Sequence, residues 1–523
     1  MNKHHTQNFV VQRPAPGVPR TWGGLRPLAA IAVIGLLAGC SFVPTYERPA
    51  APVAAQWPDS AGAQATGGTA AADLPWQQFV HDVRLREVIE LALVNNRDLR
   101  VAVQSIEQAR AQYRITRADQ FPTVGASLNG TRSAPNTAGG DDGPSVSSVY
   151  TLGVGVTSWE IDFFGRVAAL KDAALAQYLA TEDARKTAQI SLISSISSAW
   201  LSLQADTELL ALAERTLATR QQSLQLTKLR FENGASSALD MRQAESLAAS
   251  AQSAQAQQRR LRAQDINLLN LLVGQEVPER LIPPVPPVTV APPTNDSTQP
   301  TPPVAPTGQL STFAEVPAGL PSDLLLRRPD IRAAEQQLIA ANANIGAARA
   351  NFFPRFSLTA SAGRASTTLD GLVGSGGVAA WSLAPSITLP IFDMGRNQAN
   401  LDVAKASREI AVAQYEKAIQ SAFREVADAL AGRATLSDQL AALETQATAE
   451  RDSFRLADLR YRNGVASYLD LLDAQRSLFA TEQALTQIRM AQRANEVQLY
   501  KVLGGGWTEP PEAASPPAPQ SAG

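Results

Sequence analysis

The chain repeats itself. Arg230-Phe231-Glu232-Asn233-Gly234 returns as Arg460-Tyr461-Arg462-Asn463-Gly464, 230 residues later. Gly165-Arg166 returns as Gly395-Arg396, and Leu272-Val273-Gly274 as Val502-Leu503-Gly504, at the same spacing. Upstream, Arg97-Asp98-Leu99 parallels Pro329-Asp330-Ile331, and Phe121-Pro122 parallels Phe353-Pro354, both 232 residues apart. An offset so nearly constant over several landmarks marks two copies of one domain half, not a stack of short solenoid units. Any fold open to this chain must be built twice.

Each copy has the same order of elements. A helix comes first, over 85–120 and 332–351, rich in Ala, Gln and Arg with spaced apolar positions. Each stops at an aromatic-proline pair, where proline forbids continuation. Two strand-like segments follow around a Gly/Ser-rich loop. A very long helical pattern covers 166–231 in the first copy and 396–461 in the second. At 1.5 Å per residue each is on the order of 100 Å long. After Asn233-Gly234 and Asn463-Gly464 the pattern resumes to about Val273 and Leu503. Helices of this length have no single globular core to pack in, and Ala-rich faces suit close, coiled packing.

The strands alternate with period two. Val124, Ala126 and Leu128 share one face, as do Tyr150, Leu152, Val154 and Val156; Phe356, Leu358 and Ala360 do the same, followed by Trp381, Leu383, Pro385, Ile387 and Leu389. The opposite face is small or polar. A lipid-facing barrel with a wet interior needs this pattern, although a soluble sheet packed on helices has the same period. In hydrocarbon an open sheet edge is not tolerated, so the sheet must close. One chain offers four strands and the smallest usual barrel has about eight. Two copies would give eight strands and three would give twelve; strand count alone demands an oligomer without choosing between them.

Composition excludes several function classes. A net charge of −2, with 18% charged residues and no basic stripe, gives no footprint for nucleic acid. One cysteine rules out a disulfide within the chain, and of the three histidines only His81 lies in the body. Neither a His/Cys metal cluster nor a nucleophile-base set can be assembled, and there is no Gly-rich phosphate loop. No enzyme is expected.

The first 39 residues read as a targeting segment. Lys3, Arg13, Arg20 and Arg26 precede the apolar run 28–39, which is too short to span a bilayer and suits a signal peptide. The run ends in Leu37-Ala38-Gly39-Cys40, which resembles the lipobox of bacterial lipoproteins. That resemblance implies a covalent diacylglycerol and an N-acyl chain on Cys40, several chains being needed for stable attachment. Ser41 in place of Asp leans to outer-membrane delivery. The expected organisation is a signal peptide over 1–39 and a lipid-anchored, extended Pro/Ala-rich tether over 40–75. The first repeat covers 76–274, an irregular equatorial segment 275–319 and the second repeat 320–504. A disordered Pro-rich tail covers 505–523.

The segments Trp159-Glu160-Ile161-Asp162-Phe163-Phe164-Gly165-Arg166, Leu326-Arg327-Arg328-Pro329-Asp330-Ile331, Leu389-Pro390-Ile391-Phe392-Asp393-Met394-Gly395-Arg396 and Tyr461-Arg462-Asn463-Gly464-Val465-Ala466-Ser467-Tyr468-Leu469-Asp470 carry a further resemblance. In this order, on a duplicated frame that begins at a lipobox, they resemble the lipoprotein branch of the TolC-like outer-membrane factor family. The resemblance implies a mixed α/β membrane protein. Three chains would form a twelve-stranded β-barrel, four strands from each, continued by a long periplasmic α-helical barrel. It implies a homotrimer in the outer membrane that docks with a periplasmic adaptor (membrane fusion) protein and an inner-membrane transporter of the resistance-nodulation-division type. The chain would then be a passive exit duct of a multidrug efflux pump, with no cofactor beyond the lipid on Cys40. The rival is a coiled-coil structural or adaptor lipoprotein without channel activity; it should lack two duplicated strand pairs placed before long helices.

Asn233, Gly234, Asn463, Gly464 and Val465 form the turns between long helices, where Asn and Gly tolerate the left-handed backbone. The reversals place both turns at the end farthest from the strands, and the resemblance implies adaptor-docking tips. Asp470 and Asp473 match the family's periplasmic gate aspartates and would give rings of three carboxylates that favour cations. Asp240 is the weaker equivalent in the first repeat, and Arg460 and Arg462 are candidates to contact carboxylates. Gly165, Arg166, Gly395 and Arg396 are read as barrel-helix junctions, with Asp162 and Asp393 capping the helices that follow.

Overall fold

The computed structural model describes residues 41–54, 57, 70–134, 146–287, 310–317, 319 and 325–507. Cys40, the signal segment, most of 275–319 and the tail after Trp507 lie outside them. The described elements are α1 (Val83–Asn95), α2 (Arg97–Ala118), β1 (Val124–Ser133), β2 (Ser147–Ile161), α3 (Arg166–Glu232), α4 (Ala238–Val273), α5 (Pro329–Ala350), β3 (Arg355–Ser366), β4 (Val378–Thr388), α6 (Arg396–Arg462) and α7 (Tyr468–Val502). The duplication is close enough that α3 and α6 are each 67 residues long. The chain divides into two compact units.

The first unit takes in residues up to Val43, Asp119–Ala169 and Gly346–Gln398. Its four strands form one antiparallel sheet in the order β1-β2-β3-β4, so β1 and β4 are open edges. The strands are 10, 15, 12 and 11 residues long, enough for tilted membrane-crossing strands. On the apolar face Leu128, Leu152, Val154, Trp381, Leu383 and Ile387 are exposed. The period-two pattern holds with one break. A bulge between Val156 and Trp159 carries Ser158 at φ 49° and shifts the register against β3. Sequence alternation alone does not locate such a bulge, which inserts a residue without changing the residue types.

The second unit takes in Pro44–Ala118, Leu170–Ile345 and the chain from Ala399 onward. Its core collects Trp200, Leu203, Ile331, Leu338, Tyr415, Val426, Leu430 and Tyr500 from helices of both repeats. Phe79 stacks on Tyr500 at 3.9 Å and on Phe313 at 5.1 Å, and Val80 bridges to Phe313. The inter-repeat segment is therefore held partly by aromatic packing.

Two expectations are corrected. The first helix is not continuous over 85–120. It breaks at Asn96, whose Oδ1 accepts from the Leu99 N–H at 2.8 Å while its Nδ2 donates to the Leu272 carbonyl at 2.7 Å. Asn96 thus caps α2 and ties it to the end of α4, a partner 176 residues away. The stretch after Cys40 is extended as expected but is no loose tether. The Arg48 guanidinium holds Glu335 with two bonds of 2.7 and 2.8 Å, Tyr46 donates to the same carboxylate, and Asn342 donates to the Pro44 carbonyl. Trp57 is buried, stacks on Phe423 at 4.9 Å and donates to the Gly319 carbonyl.

Candidate functional site

Both long helices end in the same device. Gly234 has φ 74° and Gly464 has φ 72°. The Ala235 N–H reaches back to the Arg230 carbonyl at 2.7 Å and the Gly234 N–H to Phe231 at 2.9 Å. Val465 and Gly464 repeat this against Arg460 and Tyr461 at 2.9 and 3.1 Å. These paired bonds close the helix through a left-handed glycine. Asn233 and Asn463 each donate from Nδ2 to the carbonyl four residues back, Leu229 and Leu459.

The helices that follow start alike too. Ser237 and Asp240 form a capping box, as do Ser467 and Asp470. The Asp470 carboxylate accepts from the Ser467 N–H at 3.2 Å, and the Asp470 N–H donates to Ser467 Oγ at 3.3 Å. Asp470 therefore has a local structural task that a reading as gate residue alone leaves out. The signal is present as Ser-x-x-Asp in both copies. Hydrogen bonds from Ser237 hold the Asp240 carboxyl below its ordinary value. Asp473 is exposed, with the Arg476 guanidinium 3.8 Å away, a pair too solvated to neutralise it firmly.

The structure brings the two turns together. Ala244 and Leu247 of the first hairpin are buried with Tyr468, Leu471 and Leu472 of the second. The Arg230 guanidinium lies 4.9 Å over the Tyr461 ring, which packs against Tyr468 at 5.5 Å. Deeper in, Arg220 is buried over Phe479 and donates to the Leu247 carbonyl, and its Nε is enclosed without an acceptor. Burial, with Arg476 adding to it, lowers its proton affinity. Arg462 pairs with Asp458 on its own helix at 2.9 Å rather than with a carboxylate of the mouth. Around the turns the exposed apolar side chains include Leu229 and Leu459, which occupy the same place in the two repeats, as do Leu226 and Leu456 and Leu239 and Leu469; Val465 is 70% exposed.

In the sheet unit, Gly165 and Gly395 take φ 69° and 82° where strand gives way to helix. The Asp162 carboxylate accepts from the Ala168 N–H, and Asp393 from those of Gly395 and Asn397. Arg166 grips Glu160 with two bonds of 2.8 and 2.6 Å, whereas Arg396 is exposed and the residue equivalent to Glu160 is Pro390. The two junctions share a bend but not a clamp. Phe42, two residues after Cys40, stacks on Phe353 at 4.5 Å, and Phe353 in turn lies 4.9 Å from Phe164. Cys40 itself lies outside the described residues.

Residues 88–275 and 320–505, the two copies, both match the Outer membrane efflux protein family. The solvent efflux pump outer membrane protein SrpC of Pseudomonas putida is 46% identical over 486 residues, 92% of this chain and 98% of that protein. The outer membrane protein OprJ of Pseudomonas aeruginosa is 43% identical over 483 residues, 92% of this chain and 96% of that protein. Among solved structures, the open-state outer membrane channel MtrE of Neisseria gonorrhoeae is similar with a TM-score of 0.77 and 39% identity, covering 90% of this chain and 99% of that one.

Proposed function

The chain belongs to the outer membrane efflux protein family, and from that premise we propose how its two tips and their carboxylates serve an efflux channel. The protein is the outer-membrane channel of an efflux pump. The observation that carries this is a sheet of four strands with both edges open, repeated nowhere else among the described residues. Such a sheet is stable in hydrocarbon only when copies close it, and three chains give a twelve-stranded barrel. A coiled-coil lipoprotein without channel activity has no use for this sheet. Energy enters elsewhere; the channel conducts passively.

The finer reading is ours. Cys40 carries the lipid, and the stacking of Phe42 on Phe353 keeps the acylated end beside the sheet. The tips receive a periplasmic adaptor coupled to an inner-membrane transporter of the resistance-nodulation-division type. Supporting this, both hairpins offer the same exposed leucines, and solvent-facing apolar side chains repeated in register suit docking of helical partners. Val465 gives the cleaner test, because Gly464 needs its positive φ and would be strained by any side chain. Val465→Glu is expected to abolish efflux in cells while the trimeric mass in detergent is unchanged; undiminished efflux removes the docking role.

Asp470 and Asp473 form the constricted, acidic mouth. In planar bilayers the wild-type trimer is expected to show small, cation-preferring openings. Asp470→Asn with Asp473→Asn raises conductance severalfold and weakens cation preference, because like charges no longer confront one another across the mouth. Asp473→Asn alone isolates the charge effect from loss of the Asp470 cap. Equal conductance in all three proteins rejects the gate, and a monomeric mass with no conductance rejects the channel.

A further inference from the structure

The α3-α4 hairpin contains a carboxylate pair that the conduction pathway does not use. We infer that Asp206 on α3 and Asp265 on α4 form a proton-bridged catch, which fastens the hairpin under mildly acidic conditions and releases it as the bridging proton leaves. This goes beyond the channel reading and does not depend on the gate or the adaptor.

The geometry sets the pair apart from its surroundings. The two carboxyls are hydrogen-bonded to each other across the helices. Asp265 Oδ2 is enclosed, with no other donor within reach. Two carboxylates can share a hydrogen bond only if one is protonated, since both are acceptors when ionised. Neighbouring polar groups on the hairpin are matched differently. Glu214 receives Gln255 at 3.2 Å and Arg259 at 3.1 Å. Arg262, one turn before Asp265, is turned away: its Nε donates to Thr207 Oγ1 at 3.2 Å and its Nη2 to the Pro283 carbonyl at 2.9 Å.

Groups on the other elements are also committed or out of range. On α1, which packs on α4, Glu87 is paired with Arg280, and Arg86 exerts no charge effect on either aspartate. Asp82, capping α1, accepts from Arg84 and Leu85 and from Ser311. Glu208, two residues from Asp206, faces Arg489, Arg215 and Glu482. Among the described groups no cation acts on the pair.

Burial, then the charge of Asp206 and the bond to it, push the Asp265 carboxyl up to about 7. Burial also raises Asp206. A separated hairpin would give up its proton near pH ~4, where an ordinary aspartate ionises. The fastened form therefore loses its advantage steadily from there to about pH 7, and above that it is at its weakest. One proton over that interval is worth tenfold in the opening equilibrium for each pH unit.

The test is hydrogen exchange of the full-length, acylated trimer, corrected for the intrinsic pH dependence of exchange and followed at the amides around 206 and 265. Between about pH 5.5 and pH 8 the wild type is expected to lose on the order of thirtyfold in protection there. Asp265→Asn keeps a hydrogen bond to Asp206 but removes the shared proton, and it should hold its protection across the range. A wild type that exchanges equally at both pH values, or a variant that tracks the wild type, overturns the catch. Should the variant fail to assemble, infrared spectra of the wild type decide. A protonated-carboxyl band that titrates away near pH ~7 supports the pair; a spectrum with no such band rejects it.

Discussion

Valine at position 363 is expected to eliminate the assembled channel. Gly363 sits opposite Gly153 where β3 pairs with β2. A Cβ on Gly363 would collide with the Leu152 carbonyl oxygen and the Gly153 Cα. One on Gly153 would lie 2.6 Å from the Ala362 carbonyl oxygen. Both obstacles are backbone, which cannot rotate aside as a side chain can. The β2-β3 seam joins the strand pair of the first repeat to that of the second. Opening it leaves two hairpins, each marginal by itself, and a barrel that cannot close. Gly363→Val should therefore leave no trimer in the outer-membrane fraction by native mass. Gly125→Ala, with open space around it, should assemble as the wild type does. Wild-type amounts of trimer in Gly363→Val would mean that the seam tolerates a side chain.

The second large effect is expected at Arg328. Its guanidinium is 9% exposed and bonds to Asp330 at 3.0 and 2.6 Å, to Glu425 at 3.0 Å and to the Val502 carbonyl at 2.9 Å. One side chain thus ties the start of α5 to the middle of α6 and the end of α7. Burial works against its charge, but the two carboxylates outweigh burial and raise its proton affinity. Arg328→Ala strands both carboxylates next to a void, and breaking a buried pair from one side costs about 3–5 kcal/mol. Denaturant unfolding of the helical part, followed by circular dichroism, should show that loss. Arg327→Ala is the comparison. Its bond to Asp73 is largely solvated, and exposed pairs are worth about 0–1 kcal/mol. Equal losses in the two variants would deny the buried network its special weight.

The two effects differ in how readily a sequence discloses them. Gly153 and Gly363 are visible as small residues in alternating strands, but their apposition depends on how β2 registers against β3 across two repeats. Arg328 stands in a recognisable Arg-Arg-Pro-Asp segment and reads as structural, yet its partner Glu425 is 97 residues further on. The gate aspartates give the opposite lesson. The capping box of Asp470 is written in four consecutive residues, and the family likeness draws attention to its charge instead.

What the sequence determined by itself is local or repetitive. The 230-residue offset required two copies of one plan. Long periodic runs closed by Asn-Gly specified α3 and α6 and their turns, because a left-handed glycine and an amide side chain act within four residues of themselves. Alternation specified four strands, and the need to satisfy backbone groups in hydrocarbon specified that they could not stand alone. Only the tertiary structure decided which distant groups meet. Asn96 breaks a helix because the Leu272 carbonyl is there to receive it. Residues 44–57 settle onto Glu335 and Phe423 instead of trailing as a tether. Asp206 and Asp265 share a proton because two antiparallel helices bring them level in a place no cation reaches. In each case the deciding quantity is burial against a partner far along the chain, and no window of neighbouring residues contains it.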